Sequence, residues 1–117
     1  VLSAENDCGW AAHFVTKMDY SYRQSYVFND WPIKEGELLP SDYFRRNVFL
    51  GFQEDSLGIR MRDIIGVDLL QWGSDYPHHE STFPKSLEII DEILADCTEE
   101  EKAKIAGGNA ARIYNLN

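Results

Sequence analysis

Only two cysteines, Cys8 and Cys97, occur in 117 residues, and they lie far apart. They fit neither a disulfide scaffold nor a C-x-x-C metal or redox site, so reduced thiols in a cytoplasmic protein are the expectation. Basic residues are few as well. Eleven Lys and Arg stand against twenty Asp and Glu, for a net charge of −9. Phosphate binding needs clustered Lys and Arg, and only Arg45–Arg46 and Arg60/Arg62 come close, so no nucleic-acid partner is expected. No apolar run approaches the roughly 20 residues of a membrane span. The N-terminus has no basic segment leading into an apolar one, as a signal peptide would, and no membrane partner is expected. Gly-rich phosphate loops, a nucleophile elbow and zinc-finger spacing are all missing. So are repeats and Ser/Gly linkers, which makes residues 1–117 one unit. What the chain does have is 44% hydrophobic and 13% aromatic residues, enough for a packed core and too much for disorder.

Val1 to Glu5 reads as a strand that begins abruptly, and Asn6-Asp7-Cys8-Gly9 is turn chemistry. Trp10, Phe14, Met18 and Tyr22 then recur every four residues, predicting a helix with four large side chains on one face. Lys17, Asp19 and Arg23 fall between them, toward water. Asn29 to Pro40 reads as an irregular excursion, and Pro40 to Tyr43 as a short turn or helical cap. Asn47 to Gln53 is a second strand, rich in β-branched and aromatic residues. Asp55-Ser56 supplies N-cap residues for a helix striped by Leu57, Met61 and Ile64, which Gly66 stops. Val67 to Trp72 is a third strand, ending at Gly73-Ser74-Asp75-Tyr76-Pro77. From Pro84 a helix carries Leu87, Ile90 and Ile93/Leu94 inward. Thr98 to Glu101 matches a capping box whose helix Gly107-Gly108 should end, and Asn109 should cap a last helix to Leu116. Strands separated by helices predict an α/β fold with a parallel sheet covered on both faces. Three parallel strands leave two edges unpaired, so the pattern reads as part of something larger.

Active residues of parallel α/β folds gather beyond the carboxyl ends of the strands. Glu5, Gln53-Glu54-Asp55 and Asp75 occupy such positions. Asp75 is the sharpest candidate, because a carboxylate on a strand exit can ligate a divalent metal and take the proton of a metal-bound water. Its bland alternative is a loop aspartate capping its own turn. His78 and His79 are adjacent and would point apart on an extended segment. At most one of them faces the site, as a substrate contact or a supporting group. Glu5 is open between ligand, substrate-orienting group and ion-pair partner. His13 sits one position off the aromatic stripe and reads as a surface histidine, while Trp10, Trp31 and Trp72 read as core.

Three ordered blocks carry a family resemblance: Trp72-Gly73-Ser74-Asp75-Tyr76-Pro77-His78, then Ser81 to Ser86, then Asn109-Ala110-Ala111-Arg112-Ile113-Tyr114. Upstream, Glu5 to Trp10, Met18-Asp19, Pro40 to Phe44 and Phe52 to Asp55 agree in order. Together they resemble the C-terminal end of the amidohydrolase-related family, the metal-dependent TIM-barrel hydrolases and aminocarboxymuconate-semialdehyde-decarboxylase-like enzymes. The resemblance implies that the strands are the sixth, seventh and eighth of a (β/α)8 barrel, which typically needs about 250 residues. It places Asp75 at the family's metal-binding aspartate and general base, and Glu5 where many decarboxylase-type members have a metal-ligand histidine and members with the Glu…Gly-Trp pattern a glutamate; on the residues themselves, Glu5 and His78 stand as substrate contacts or supporting groups. It implies a divalent metal, zinc by expectation, acting on a small-molecule substrate. The early His-x-His pair and mid-barrel histidine that complete the metal site have no counterpart here. The implied reaction is attack of metal-activated water on a C–N or C–O bond, with non-oxidative decarboxylation as the alternative and a non-catalytic fragment as a third reading. The chain alone is expected to dock on the remaining barrel segments or to self-associate, with little or no catalysis.

Overall fold

Each of the three apolar stretches forms a strand, and each strand runs into helix. In a computed structural model that describes residues 1–25 and 36–116, β1 (Leu2–Ser3), β2 (Phe49–Phe52) and β3 (Leu70–Trp72) form a sheet in the order β1-β2-β3. All pairings are parallel, with Leu2 opposite Phe49, Leu50 opposite Leu70 and Gly51 opposite Gln71. The helices are α1 (Gly9–Ser25), α2 (Pro40–Asn47), α3 (Ser56–Arg60), α4 (Arg62–Ile65), α5 (Ser86–Ile93), α6 (Glu99–Ala103) and α7 (Asn109–Tyr114). Most of the excursion expected over residues 29–40, including Trp31, lies outside the described residues. No described helix is long and apolar enough to cross a membrane.

The strands are shorter than expected. Val67–Leu69 is a 3-10 turn rather than strand, set by Gly66 at φ 116°, whose carbonyl accepts the Leu69 N–H at 3.1 Å. Only glycine adopts that backbone at little cost, so Gly66 both stops α4 and launches β3.

The core lies on one side of the sheet. Leu50, Phe52 and Leu70 meet Ala11 and Val15 of α1, Phe44 of α2, Ile59 and Ile65, and Leu94 and Ile105. On the opposite face Leu2, Gly51, Gln53, Gln71 and Gly73 line an open cleft. Strand side chains alternate between faces, so one face packs on helices and the other looks onto the cleft. The expectation of a sheet covered on both faces is corrected here.

Helix faces differ from the expected ones. On α1 the buried side is Ala11, Ala12, Val15 and Tyr22, whereas Trp10 is 42% and Phe14 46% exposed. The two rings flank the packed face and lean on Phe44, at centroid distances of 6.3 and 5.9 Å. Asp19 does not simply face water. Its carboxylate accepts the backbone N–H and the hydroxyl of Ser41, at 2.9 and 2.7 Å, and so caps the start of α2. The Leu57, Met61 and Ile64 stripe is exposed, because the helix breaks at Met61 and turns Ile59 and Ile65 inward instead. Leu87 likewise faces outward at 79% exposure, while Ile90, Ile93 and Leu94 pack on the core as expected.

Two polar anchors fix the helices. Asp55 accepts the N–H groups of Cys8 (2.7 Å), Gly9 (2.6 Å) and Gly58 (2.7 Å). One carboxylate thus caps α1 and α3, joining the loops that follow β1 and β2. Burial pushes the Asp55 carboxyl up, but these three donors and the Cys8 thiol outweigh it and hold it below the usual carboxylate range. The Cys8 thiol is itself raised, by burial first and then by the Asp55 charge. The second anchor is Asn109, which is fully buried and donates to the carbonyls of Val67 (2.8 Å) and Leu70 (2.9 Å). It was expected to cap a helix behind a Gly107-Gly108 stop. Instead Lys104–Gly108 is a π-helical turn, and helical backbone runs unbroken from α6 into α7. The wide turn directs Asn109 and Ile105 into the core. The capping box at Thr98 and Glu101 forms as expected, with bonds of 2.8 and 3.2 Å.

Candidate active site

The parallel strands bring their carboxyl ends to one mouth, where an open cleft of about 450 Å³ lies. Glu5, Gln53, Glu54, Asp75 and Glu80 are among its lining residues, and no Lys or Arg among the described residues is. The cleft is therefore negatively charged and suited to attract a cation.

Asp75 sits where β3 leaves the sheet. Parallel pairing continues one step past the strand, with the Gly73 N–H on the Phe52 carbonyl at 3.0 Å, while the Trp72 indole N–H reaches the Gln53 carbonyl at 3.1 Å. These bonds lock the second and third strand ends together. Asp75 itself adopts the left-handed region, at φ 55°, a conformation uncommon outside glycine and often seen at functional turns. The loop after it is tightly closed. His78 N–H donates to the Asp75 carbonyl (2.8 Å), and Thr82 N–H and the Ser81 hydroxyl both donate to the Ser74 carbonyl (3.1 and 2.7 Å).

The Asp75 carboxylate is 26% exposed. Gln53 Nε2 donates to its Oδ2 at 3.2 Å, and His78 Nδ1 lies 3.4 Å from that same oxygen. Oδ1 has no hydrogen-bond partner among the described residues. One oxygen is thus held by the protein and the other is left unbonded, on a residue that lines the cleft. His79 points away toward Glu80 and solvent, at 3.8 Å, so of the adjacent histidines only His78 meets Asp75.

Glu5 follows β1 at φ 57°, exposed, lining the same cleft and bonded to no described residue. Asp55, grouped with Gln53 and Glu54 by its place after β2, turns away to cap helices. His13 is exposed on α1. Two residues gain importance from the structure. Gln53 orients Asp75, and Gln71 is a buried amide on the cleft face. The one trace of Gln71 in the sequence is an amide inside an otherwise apolar strand.

Zinc-type sites use three or four protein ligands. Among the described residues no three His, Cys, Asp or Glu side chains come together to hold an ion. The residues present do not by themselves make up a metal site.

With this geometry in hand, comparison with known proteins is decisive about kinship. Residues 58–116, half of the chain, match the amidohydrolase family model, and the chain belongs to that family. Solved structures agree. The 5-carboxyvanillate decarboxylase LigW from Sphingomonas paucimobilis superposes with a TM-score of 0.70 at 29% identity, over 91% of this chain and 31% of its own. The amidohydrolase map2389c from Mycobacterium avium subsp. paratuberculosis K-10 gives 0.73 at 25% identity, over 96% of this chain and 27% of its own. A dihydroxybenzoic acid decarboxylase from Polaromonas sp. JS666, solved with manganese and the inhibitor 2-nitroresorcinol, shares the fold at 0.64 and 20% identity, over 91% and 31%. This chain therefore spans less than a third of each of those chains. No curated protein matches it by sequence.

Proposed function

We propose that this chain forms the sixth to eighth strands of a (β/α)8 barrel in a metal-dependent enzyme, and that Asp75 is its proton-carrying carboxylate. The observation that carries this reading is the Asp75 carboxylate lining the cleft at the parallel strand ends, with Oδ2 bonded by Gln53 and 3.4 Å from His78 Nδ1 and Oδ1 bonded to no described residue. In the whole protein Asp75 would also contribute one oxygen to a divalent ion, with the other ligands coming from outside the described residues. Zinc is the ion the family resemblance implies, and manganese is the one held by the dihydroxybenzoic acid decarboxylase.

The expected hydrolysis and its alternative, non-oxidative decarboxylation, differ in what Asp75 does. In decarboxylation the bond between a substrate carbon and its carboxylate breaks, carbon dioxide leaves, and the electron pair left on carbon takes a proton. Asp75 in its acid form delivers that proton. In hydrolysis Asp75 takes a proton from the water that attacks a C–N or C–O bond. The similarity to LigW at 29% identity supports decarboxylation, and we place it first, with a small carboxylic acid as substrate. Hydrolysis stands second, supported by the family match. Positioned acid–base groups contribute about 10²–10⁴-fold to rate. Glu5 and His78 act at the cleft as substrate contact and supporting group, and the free edges of β1 and β3 receive the remaining barrel strands.

The test is a gas-release assay on the full-length protein with a panel of aromatic carboxylic acids, 5-carboxyvanillate among them. Carbon dioxide evolution without net water addition is expected. Cleavage of an amide or ester with no gas release would move the assignment to hydrolysis. No turnover in either assay, from protein that binds no divalent ion, would refute both and leave a non-catalytic domain.

A further inference from the structure

The Gln71 amide lies deeper in the cleft than the groups just described. It sits in the middle of β3, between Leu70 and Trp72, which join the helix-packed core. Alternation therefore turns Gln71 to the other face, where it lines the cleft. It is only 7% exposed, yet its Nε2 has no hydrogen-bond partner among the described residues. It is the one buried side-chain nitrogen or oxygen there left in that state. Native proteins pair nearly all such groups, and an unpaired one calls for an explanation.

The surroundings show why the protein itself does not pair it. Its register partner across the ladder is Gly51, which has no side chain to offer. What stands beside Gly51 is the backbone running from Ser3 to Glu5, with the Ala4 Cα 3.5 Å from where a Cβ would lie, and no side chain reaches in from there. Gly73, two residues toward the rim on the same face, leaves open space in which a Cβ would touch nothing within 4 Å. Gln53, the other amide on this face, is already committed to Asp75. Gln71 thus lines the cleft among small residues, with its amide nitrogen buried beneath the cleft wall and unpaired. At about 3.3 Å per strand residue, Gln71 and Gly73 are separated by roughly 6–7 Å along β3.

We propose that the Gln71 Nε2 is a substrate-binding donor at the floor of the cleft, taking a carboxylate or phenolate oxygen of the ligand whose reacting carbon lies at Asp75. This rests on the preceding reading of Asp75 for the reacting end, but the donor role of Gln71 is separately testable. Gln71 is a positioning residue, and its removal acts on binding rather than on proton transfer.

The experiment is calorimetric binding of benzoate and of 2-nitroresorcinol to the full-length protein, for wild type, Gln71→Leu and Gln71→Glu, with a melting curve of each unliganded variant. Leu removes the amide at similar volume, and Glu puts a repelling carboxylate in its place. For at least one probe, Leu is expected to weaken binding by about tenfold or more and Glu by more than Leu. The unliganded Leu variant is expected to melt no lower than wild type, since no protein bond is lost. Equal affinity in wild type and Leu, or binding of neither probe by wild type, overturns the assignment. So does a lower melting temperature for Leu, which would show that the amide pairs with protein in the complete barrel. Failure of the Asp75 reading looks different. Gas release unaffected by Asp75→Asn would sink that reading while leaving a Gln71-dependent binding defect in place.

Discussion

Replacing Asp55 by Ala removes one carboxylate and leaves three backbone donors, on Cys8, Gly9 and Gly58, without their acceptor. Each hydrogen bond to a charged group contributes about 1.5–3 kcal/mol, and a lost N-cap alone costs about 0.5–2 kcal/mol. The three share one acceptor, and water can re-solvate part of the site, so the terms do not add fully. A loss of about 3–5 kcal/mol follows, equivalent to a fall in Tm on the order of 10 °C for a protein of this size class or larger. Asp55→Asn keeps one accepting oxygen and should lose roughly half as much. The pH dependence has a definite sign. The folded-state carboxyl lies below its ordinary value of 3.8, so the unfolded chain binds the proton more readily. The stabilisation is complete above that ordinary value and is lost as pH falls through the lower folded one. Thermal melts of the full-length protein between neutral pH and the acid limit provide the assay. The Ala variant should melt lower at neutral pH and lose the Asp55 share of the acid slope. A Tm within about 2 °C of wild type at neutral pH would refute the double-cap argument.

Four further outcomes follow from the packing and the site. Gly58→Ala should destabilise by about 1–3 kcal/mol in denaturant titration, because a Cβ there collides with Cys8 Sγ and the Asp55 carboxylate. Asn109→Leu should cost about 2–3 kcal/mol, since it strands the Val67 and Leu70 carbonyls beneath the helix. Gln53→Leu should lower kcat more than it raises KM in steady-state assays, because it frees Asp75 without touching the deeper cleft. Cys8, buried and with its thiol pushed up by burial and by Asp55, should resist thiol reagents until the protein is unfolded, which a reagent-release time course reads directly.

The strand order, the helix after each strand and the position of Asp75 were all legible in the sequence. Glycine, proline and β-branched runs act locally, and Gly66, Gly73 and the Thr98–Glu101 box do in the fold what their chemistry says. What escaped depends on distant partners. Period four on α1 is equally consistent with two neighbouring faces, and only Phe44, brought in by α2, shows why Trp10 and Phe14 stay at the margin. Gly107-Gly108 would end a free helix, since each glycine costs about 1 kcal/mol relative to Ala. Burial of Ile105 and Asn109 against β3 offsets that and carries the helix through. Asp55 looks like a local cap, and its hold on Cys8 and Gly9 lies 47 and 46 residues away. Gln71 obeys no local rule at all, and its meaning depends on which face of β3 looks onto the cleft.

The most direct test of the role given to Asp75 is the turnover of an Asp75→Asn variant of the full-length protein, measured beside its melting curve. Asparagine keeps the shape and the left-handed backbone but cannot carry the proton. We expect an unchanged fold with activity reduced by about 10²–10⁴-fold or more. Activity within a few-fold of wild type, in a variant that melts normally, would contradict the account.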